Sequence, residues 1–134
     1  MNPILVDSSV ILDVFTNDPV WADWSQSMLG QYSQSHSLAI NPIIYCEVSV
    51  GFQRIEELED AVKACGFQHL PLPREALFLA GKAFLSYRKR GGIRNSLLPD
   101  FLIGAHAAVA GMDLLTRDAS RVQSNFPTVK IIAP

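Results

Sequence analysis

The chain has 134 residues, 49% hydrophobic and 18% charged, with a net charge of −2. That length suits one domain with an ample apolar core, and it needs no disulfide or structural metal to fold. The near balance of 11 basic and 13 acidic residues excludes a generally DNA-coating protein, and the composition excludes a disordered chain.

Residues 3–6 are aliphatic and β-branched and predict a buried strand. The strand ends at Asp7-Ser8-Ser9, helix-starting residues, after which Val10, Ile11, Val14 and Phe15 recur at helical spacing. Pro19 restarts the chain into a second helix carrying Trp21, Trp24, Met28 and Tyr32. Residues 37–40 read as strand two, and Asn41-Pro42 as the cap and first-turn proline of a helix running through Phe52. Residues 55–64 form an amphipathic helix with Glu56, Glu57, Glu59 and Asp60 on its wet face, stopped by Cys65-Gly66. Strand three is expected over 67–72. Pro73 starts a helix with an apolar stripe of Leu77, Ala80, Phe84 and Tyr87, ended by Gly91-Gly92, and 93–98 reads as a loop. Pro99 opens a very apolar helix to Ala110, stopped by Gly111. Residues 114–116 read as strand four, 119–124 as a short helix and 129–132 as strand five.

This alternation predicts an α/β fold: a central, mainly parallel five-stranded sheet flanked by helices, in a single domain over 1–134. Cys46 and Cys65 match no zinc or redox spacing, as expected of a reduced, cytoplasmic protein. No basic segment follows Met1, so no secretory signal is expected. The longest apolar stretch, 97–115, is interrupted by Asp100, His106 and Asp113 and makes a poor membrane span.

In parallel sheets chemistry sits beyond the carboxyl ends of the strands. Asp7 follows strand one directly and Asp118 lies two residues past strand four; either could equally be a helix cap. Asp100 stands at a helix start, where an acid is favoured anyway. Glu47 lies in a helix that is apolar on nearly every side, so it needs either an arginine partner or a polar cavity shared with the other acids. Four converging carboxylates repel unless cations neutralise them, and an all-oxygen set selects hard ions, Mg²⁺ or Mn²⁺, over zinc. No two of His36, His69 and His106 have metal-motif spacing, and His106 reads as a hydrogen-bonded core residue. Asp13, a further acid beyond the first helix turn, is expected to be solvated.

Arg88, Lys89, Arg90 and Arg94 place four of the 11 basic residues within seven positions. Cations are favoured at a helix C-terminus, which is one reading. The other is a basic rim that holds phosphates beside an acidic metal site.

Four segments together resemble the PIN-domain ribonucleases, and most closely the VapC-like toxins of toxin–antitoxin pairs. They are Ile4-Leu5-Val6-Asp7-Ser8-Ser9-Val10, the acid in Asn41-Pro42-Ile43-Ile44-Tyr45-Cys46-Glu47, Leu98-Pro99-Asp100-Phe101-Leu102-Ile103-Gly104-Ala105-His106-Ala107, and Leu114-Leu115-Thr116-Arg117-Asp118. The resemblance runs end to end, and every acid of the family pattern has its carboxylate here. It implies that Asp7, Glu47, Asp100 and Asp118 are a catalytic quartet. Asp7 and Asp100 would ligate Mg²⁺ directly (with Mn²⁺ as a substitute), Asp118 would complete the metal shell, and Glu47 would hold or activate water. Ser8 and Thr116 would support the carboxylates by hydrogen bonds. The implied activity is cleavage of single-stranded or loop RNA (transfer or ribosomal) by a metal-activated water, leaving a 5′-phosphate and a 3′-hydroxyl. The implied partners are a cognate antitoxin, for which Trp21, Trp24 and Phe52 could form an apolar seat, and a second copy in a homodimer. The alternatives are a receiver- or phosphatase-like phosphoryl-transfer domain and a PIN module that binds RNA without cutting it.

Overall fold

A computed structural model describes residues 2–91 and 97–134. Five short strands, β1 (Ile4–Val6), β2 (Leu38–Ile40), β3 (Gln68–His69), β4 (Leu114–Leu115) and β5 (Ile131–Ile132), form one sheet in the order β3-β2-β1-β4-β5. Every pairing is parallel, and Leu5 sits in register between Ala39 and Leu114. A parallel sheet covered on both faces needs strands without polar alternation. Accordingly Ile4, Leu5, Val6, Ala39, Ile40, Leu114 and Leu115 are all buried.

Among the described residues seven helices flank the sheet: α1 (Ser8–Phe15), α2 (Ala22–Ser33), α3 (Pro42–Val48), α4 (Ile55–Cys65), α5 (Arg74–Lys89), α6 (Leu98–Ala110) and α7 (Ser120–Gln123). Asp7 caps α1 by accepting from the Ser8 N–H, and Asn41 caps α3 by accepting from the Ile44 N–H. Gly111 ends α6 in the left-handed region, at φ 65°, where a side chain would be strained. α5 and α6 pack along each other through Phe84, Tyr87 and Phe101, and Phe126 closes that cluster from the far side. At Gly104 the α6 backbone approaches Phe126 so closely that a Cβ would stand 2.4 Å from the ring.

The helix after strand two ends early. It stops at Val48, a 3-10 turn covers Ser49–Gly51, and Phe52 is extended and packs its ring against Phe15. Strand three keeps only Gln68–His69, because at the sheet edge only β2 is available to pair with it. The inward side of α5 is Ala76 and Ala80, with Phe84 and Tyr87 packed on the core, while Leu77 is exposed. Small residues let α5 and α6 approach; Leu77 is left outside. Of the expected 93–98 loop, 93–96 lie outside the described residues and Leu98 begins α6. Among the described residues no helix is long and apolar enough to cross a membrane.

Candidate active site

The sheet order places β1 beside β4, so the residues that follow these strands meet. The Asp7 N–H donates to the Leu115 carbonyl at 2.9 Å, fixing Asp7 where the chain leaves β1. Its carboxylate accepts three hydrogen bonds: from the Ser8 N–H on Oδ1 at 2.8 Å, and from Ser9 Oγ (3.1 Å) and Thr116 Oγ1 (2.8 Å) on Oδ2. A carboxylate has about four lone-pair sites, so Oδ1 keeps one for a further partner. Capping α1 therefore leaves the Asp7 carboxylate room for a further partner.

Glu47 projects from α3 and is half-buried; its Oε1 accepts from Ser8 Oγ at 2.9 Å. Burial pushes its carboxyl above the ordinary range. The Ser8 hydrogen bond opposes that shift, and the charges of Asp7 and Asp100 add to it. Asp100, in the first turn of α6, is raised mainly by burial as well, with Asp7 and Asp118 adding to the rise. Its Oδ2 accepts from the Leu97 N–H at 2.9 Å, which pulls the other way. Asp118 is more open, and Ser120 Oγ and N–H together with Arg121 hold its carboxyl below the ordinary value.

Acids from four separate elements thus feel one another's charge at one end of the sheet. The cation that Glu47, Asp100 and Asp118 all register is Arg121, whose Nε lies 3.0 Å from Asp118 Oδ2. Among the described residues this one guanidinium does not balance four carboxylates, and an all-oxygen donor set with surplus negative charge suits a hard divalent cation. The fit rests on this donor chemistry and charge. Among the described residues no three potential ligands already stand close enough to enclose an ion.

The basic cluster is placed differently from a loop rim. Arg88 and Lys89 occupy the last turn of α5, with Arg88 against the Phe84 ring. Arg90 packs on Tyr87 and donates from Nη2 to Asn125 Oδ1 at 2.8 Å. Arg94 lies outside the described residues. His106 is buried, with Nδ1 3.0 Å from Asn41 Nδ2, and burial lowers its pKa.

Four participants escaped the sequence reading. Ser9 and Arg121 touch the acids directly, and Arg121 was detectable only as a cation three residues after Asp118. The other two are Asp13 and Arg117. Asp13 is not solvated: it is 2% exposed, paired with Arg117 Nη2 at 3.1 Å and hydrogen-bonded by Ser25 Oγ at 2.8 Å. Its place on α1 turns it toward Ser25 of α2 instead of solvent.

A model of the PIN domain family matches residues 4–124. The chain belongs to the PIN domain family. PIN domains are typically nucleases, and PIN nucleases generally use divalent metal ions. The PIN assignment sets aside the receiver- and phosphatase-like alternatives. Solved structures with the same fold include a chain of VapBC2 from Rickettsia felis bound to a promoter DNA fragment (TM-score 0.74, 16% identity, covering 97% of either chain). A chain of DNA-bound VapBC from Salmonella typhimurium matches with TM-score 0.70 and 17% identity over 99% of this chain and 98% of that one. A chain of FitAcB from Neisseria gonorrhoeae matches with TM-score 0.73 and 18% identity over 96% of each. At such identities the likeness is one of PIN fold. No curated protein matches by sequence.

Proposed function

We propose that this PIN domain is the toxin of a toxin–antitoxin pair, a Mg²⁺-dependent endoribonuclease that cuts single-stranded or loop RNA. The carrying observation is the electrostatic coupling of Asp7, Glu47, Asp100 and Asp118 beyond the carboxyl ends of β1, β2 and β4. Asp7, Asp100 and Asp118 would hold the metal, with Mn²⁺ able to replace Mg²⁺. When bound, the ion supplies a nucleophile at neutral pH and stabilises charge on the phosphoryl oxygens.

The protein's own groups have distinct tasks in this reading. Ser8 holds Glu47 by Oε1, leaving Oε2 to accept a proton, and burial raises this carboxyl's affinity for a proton, the direction that favours a general base. Asp118, held ionised by Ser120 and Arg121, keeps its charge throughout. Arg88 and Lys89, with Arg94, would engage phosphates away from the cut. The Arg90–Asn125 bond gives Arg90 a fixed position there.

The toxin reading is supported by the fold likeness to chains of VapBC and FitAcB complexes. A cognate antitoxin would shield the acids in a cytoplasmic setting. Phe15 with Phe52, and Trp21 with Trp24, are aromatic pairs that offer it an apolar seat. Exposed Leu77, Phe78 and Leu85 give α5 an apolar face for a second copy, which the mass in solution tests.

End-labelled RNA with Mg²⁺ or Mn²⁺, with and without EDTA, tests the activity. Cleavage is expected with either ion and absent with EDTA. Asp100→Asn should lower it about 100-fold or more, the scale of losing one preorganised electrostatic contact. Binding without cleavage in every metal would favour the RNA-binding module instead, and full activity of Asp100→Asn would overturn the site assignment.

A further inference from the structure

Asp13 and Arg117 form an ion pair in which the carboxylate is buried and the guanidinium side chain is partly exposed. Arg117 lies between Thr116 and Asp118, on the segment joining β4 to α7. Its guanidinium turns away from the quartet, reaching Asp13 on α1 and packing 5.7 Å from the Trp21 ring centroid. Ser25 of α2 occupies the other oxygen of Asp13. The Arg117 side chain is thus held by α1 and by the residue that caps α2, and α2 holds its carboxylate partner.

The backbone of the same residue faces the site. The Arg117 N–H donates to Ser9 Oγ at 3.3 Å, and that hydroxyl donates on to Asp7 Oδ2 at 3.1 Å. The flanking residues are tied to the same oxygen: Thr116 Oγ1 donates to Asp7 Oδ2, and the Asp118 N–H donates to Thr116 Oγ1 at 3.1 Å. Three consecutive residues therefore converge on one carboxylate oxygen, and the Arg117–Asp13 pair is their fixed point. An ion pair with one buried partner is a weak device for stability, because desolvating the carboxylate offsets much of the attraction. It is a good device for holding a backbone segment in one place, since the charges tolerate little displacement.

We propose that Asp13 and Arg117 are positioning residues that set the divalent-ion affinity of the acidic site by fixing residues 116–118 against Asp7. This rests on the metal-dependent nuclease reading above. Outer partners of metal ligands change metal affinity by about 10–100-fold when removed.

Titration calorimetry of the full chain with Mn²⁺ alone tests it. In Asp13→Leu/Arg117→Met the pair is replaced as a unit, so neither charge is stranded. The Kd for Mn²⁺ should weaken by about 10–100-fold, with circular dichroism unchanged and RNA cleavage recovering as Mn²⁺ is raised. Ser9→Ala cuts the link to Asp7 while leaving the pair intact and should also weaken binding; Ser9→Thr keeps the hydroxyl and should restore it. This second pair of variants decides the matter if the double variant does not fold. Wild-type affinity in the double variant or in Ser9→Ala overturns the proposal alone, whereas failure of the wild-type chain to bind Mn²⁺ overturns the nuclease reading with it.

Discussion

Thr116 and Asp7 stand 109 positions apart in the chain and 2.8 Å apart in space. The Thr116 hydroxyl is buried, donates to Asp7 and accepts from the Asp118 N–H, so one side chain sets the relation between two acids from opposite ends of the sequence. Thr116→Val keeps the shape and removes both bonds. It should destabilise the fold by about 1–3 kcal/mol in urea unfolding, the penalty of leaving buried polar groups unpaired. Thr116→Ser, which keeps the hydroxyl, should stay close to wild type in stability and RNA cleavage.

Crowded acids make stability depend on pH. Glu47 and Asp100 are both raised, so above the ordinary carboxylate range the folded chain retains protons that the unfolded chain has released. Their contribution is fully present below their unfolded values and is lost as pH rises through the raised ones. Asp118 and His106 act in the opposite sense: their lowered values cost stability as pH falls, from about 3.8 for Asp118 and about 6.5 for His106. Asp100→Asn removes one raised carboxyl, and an asparagine oxygen can still accept from the Leu97 N–H. In EDTA at neutral pH this variant should melt a few degrees above wild type, since ~1 kcal/mol shifts the Tm of a chain this size by roughly 4 °C. Added Mg²⁺ should raise the wild-type Tm more than the variant's. A lower melt for the variant in EDTA would make Asp100 a structural cap.

The basic cluster should act on binding rather than on the chemical step. Alanine at Arg88, Lys89 and Arg94 should shallow the salt dependence of log K for single-stranded RNA by about 0.7 per lost phosphate contact. Arg90→Ala should instead loosen the Asn125 contact and lower the Tm. An unchanged salt slope in the triple variant would return Arg88 and Lys89 to the role of a helix terminus.

Close packing at Gly104 gives a prediction independent of function. A methyl group there meets the buried Phe126 ring, which is wedged against Phe101 and has little room to retreat. Gly104→Ala should destabilise by about 1–3 kcal/mol, the usual range for overpacking. Adding Phe126→Leu should recover part of the loss in the same unfolding measurement.

The strands and most helix limits were legible because this sheet is buried on both faces: residues 4–6, 38–40 and 114–115 are unbroken apolar runs bounded by capping residues. Asp7, Glu47 and Asp100 stood out for related reasons, an acid at a strand end, an acid in an apolar helix and an acid beside a first-turn proline. Asp13 was misread because nothing in the sequence tells that α2 lies over that side of α1. Arg117 was passed over since its partner lies more than a hundred positions upstream. Phe52 was read as helical, yet it leaves the helix to meet Phe15, a tertiary contact that no local propensity reports. Leu77 shows the converse: helical periodicity gives an apolar stripe a direction but does not say where the packing stops.

The strand order also governs when the acidic site can close. β1 and α1 emerge early in synthesis, but the neighbour on which Asp7 depends is β4, and Thr116 and Asp118 follow only after it. A growing or truncated chain that ends before β4 carries three of the acids and an unpaired edge along β1, with no closed arrangement of carboxylates. On this topology the carboxylates can meet only once β4 has been made and has paired with β1, so the acidic site belongs to the assembled sheet and to no leading fragment of it.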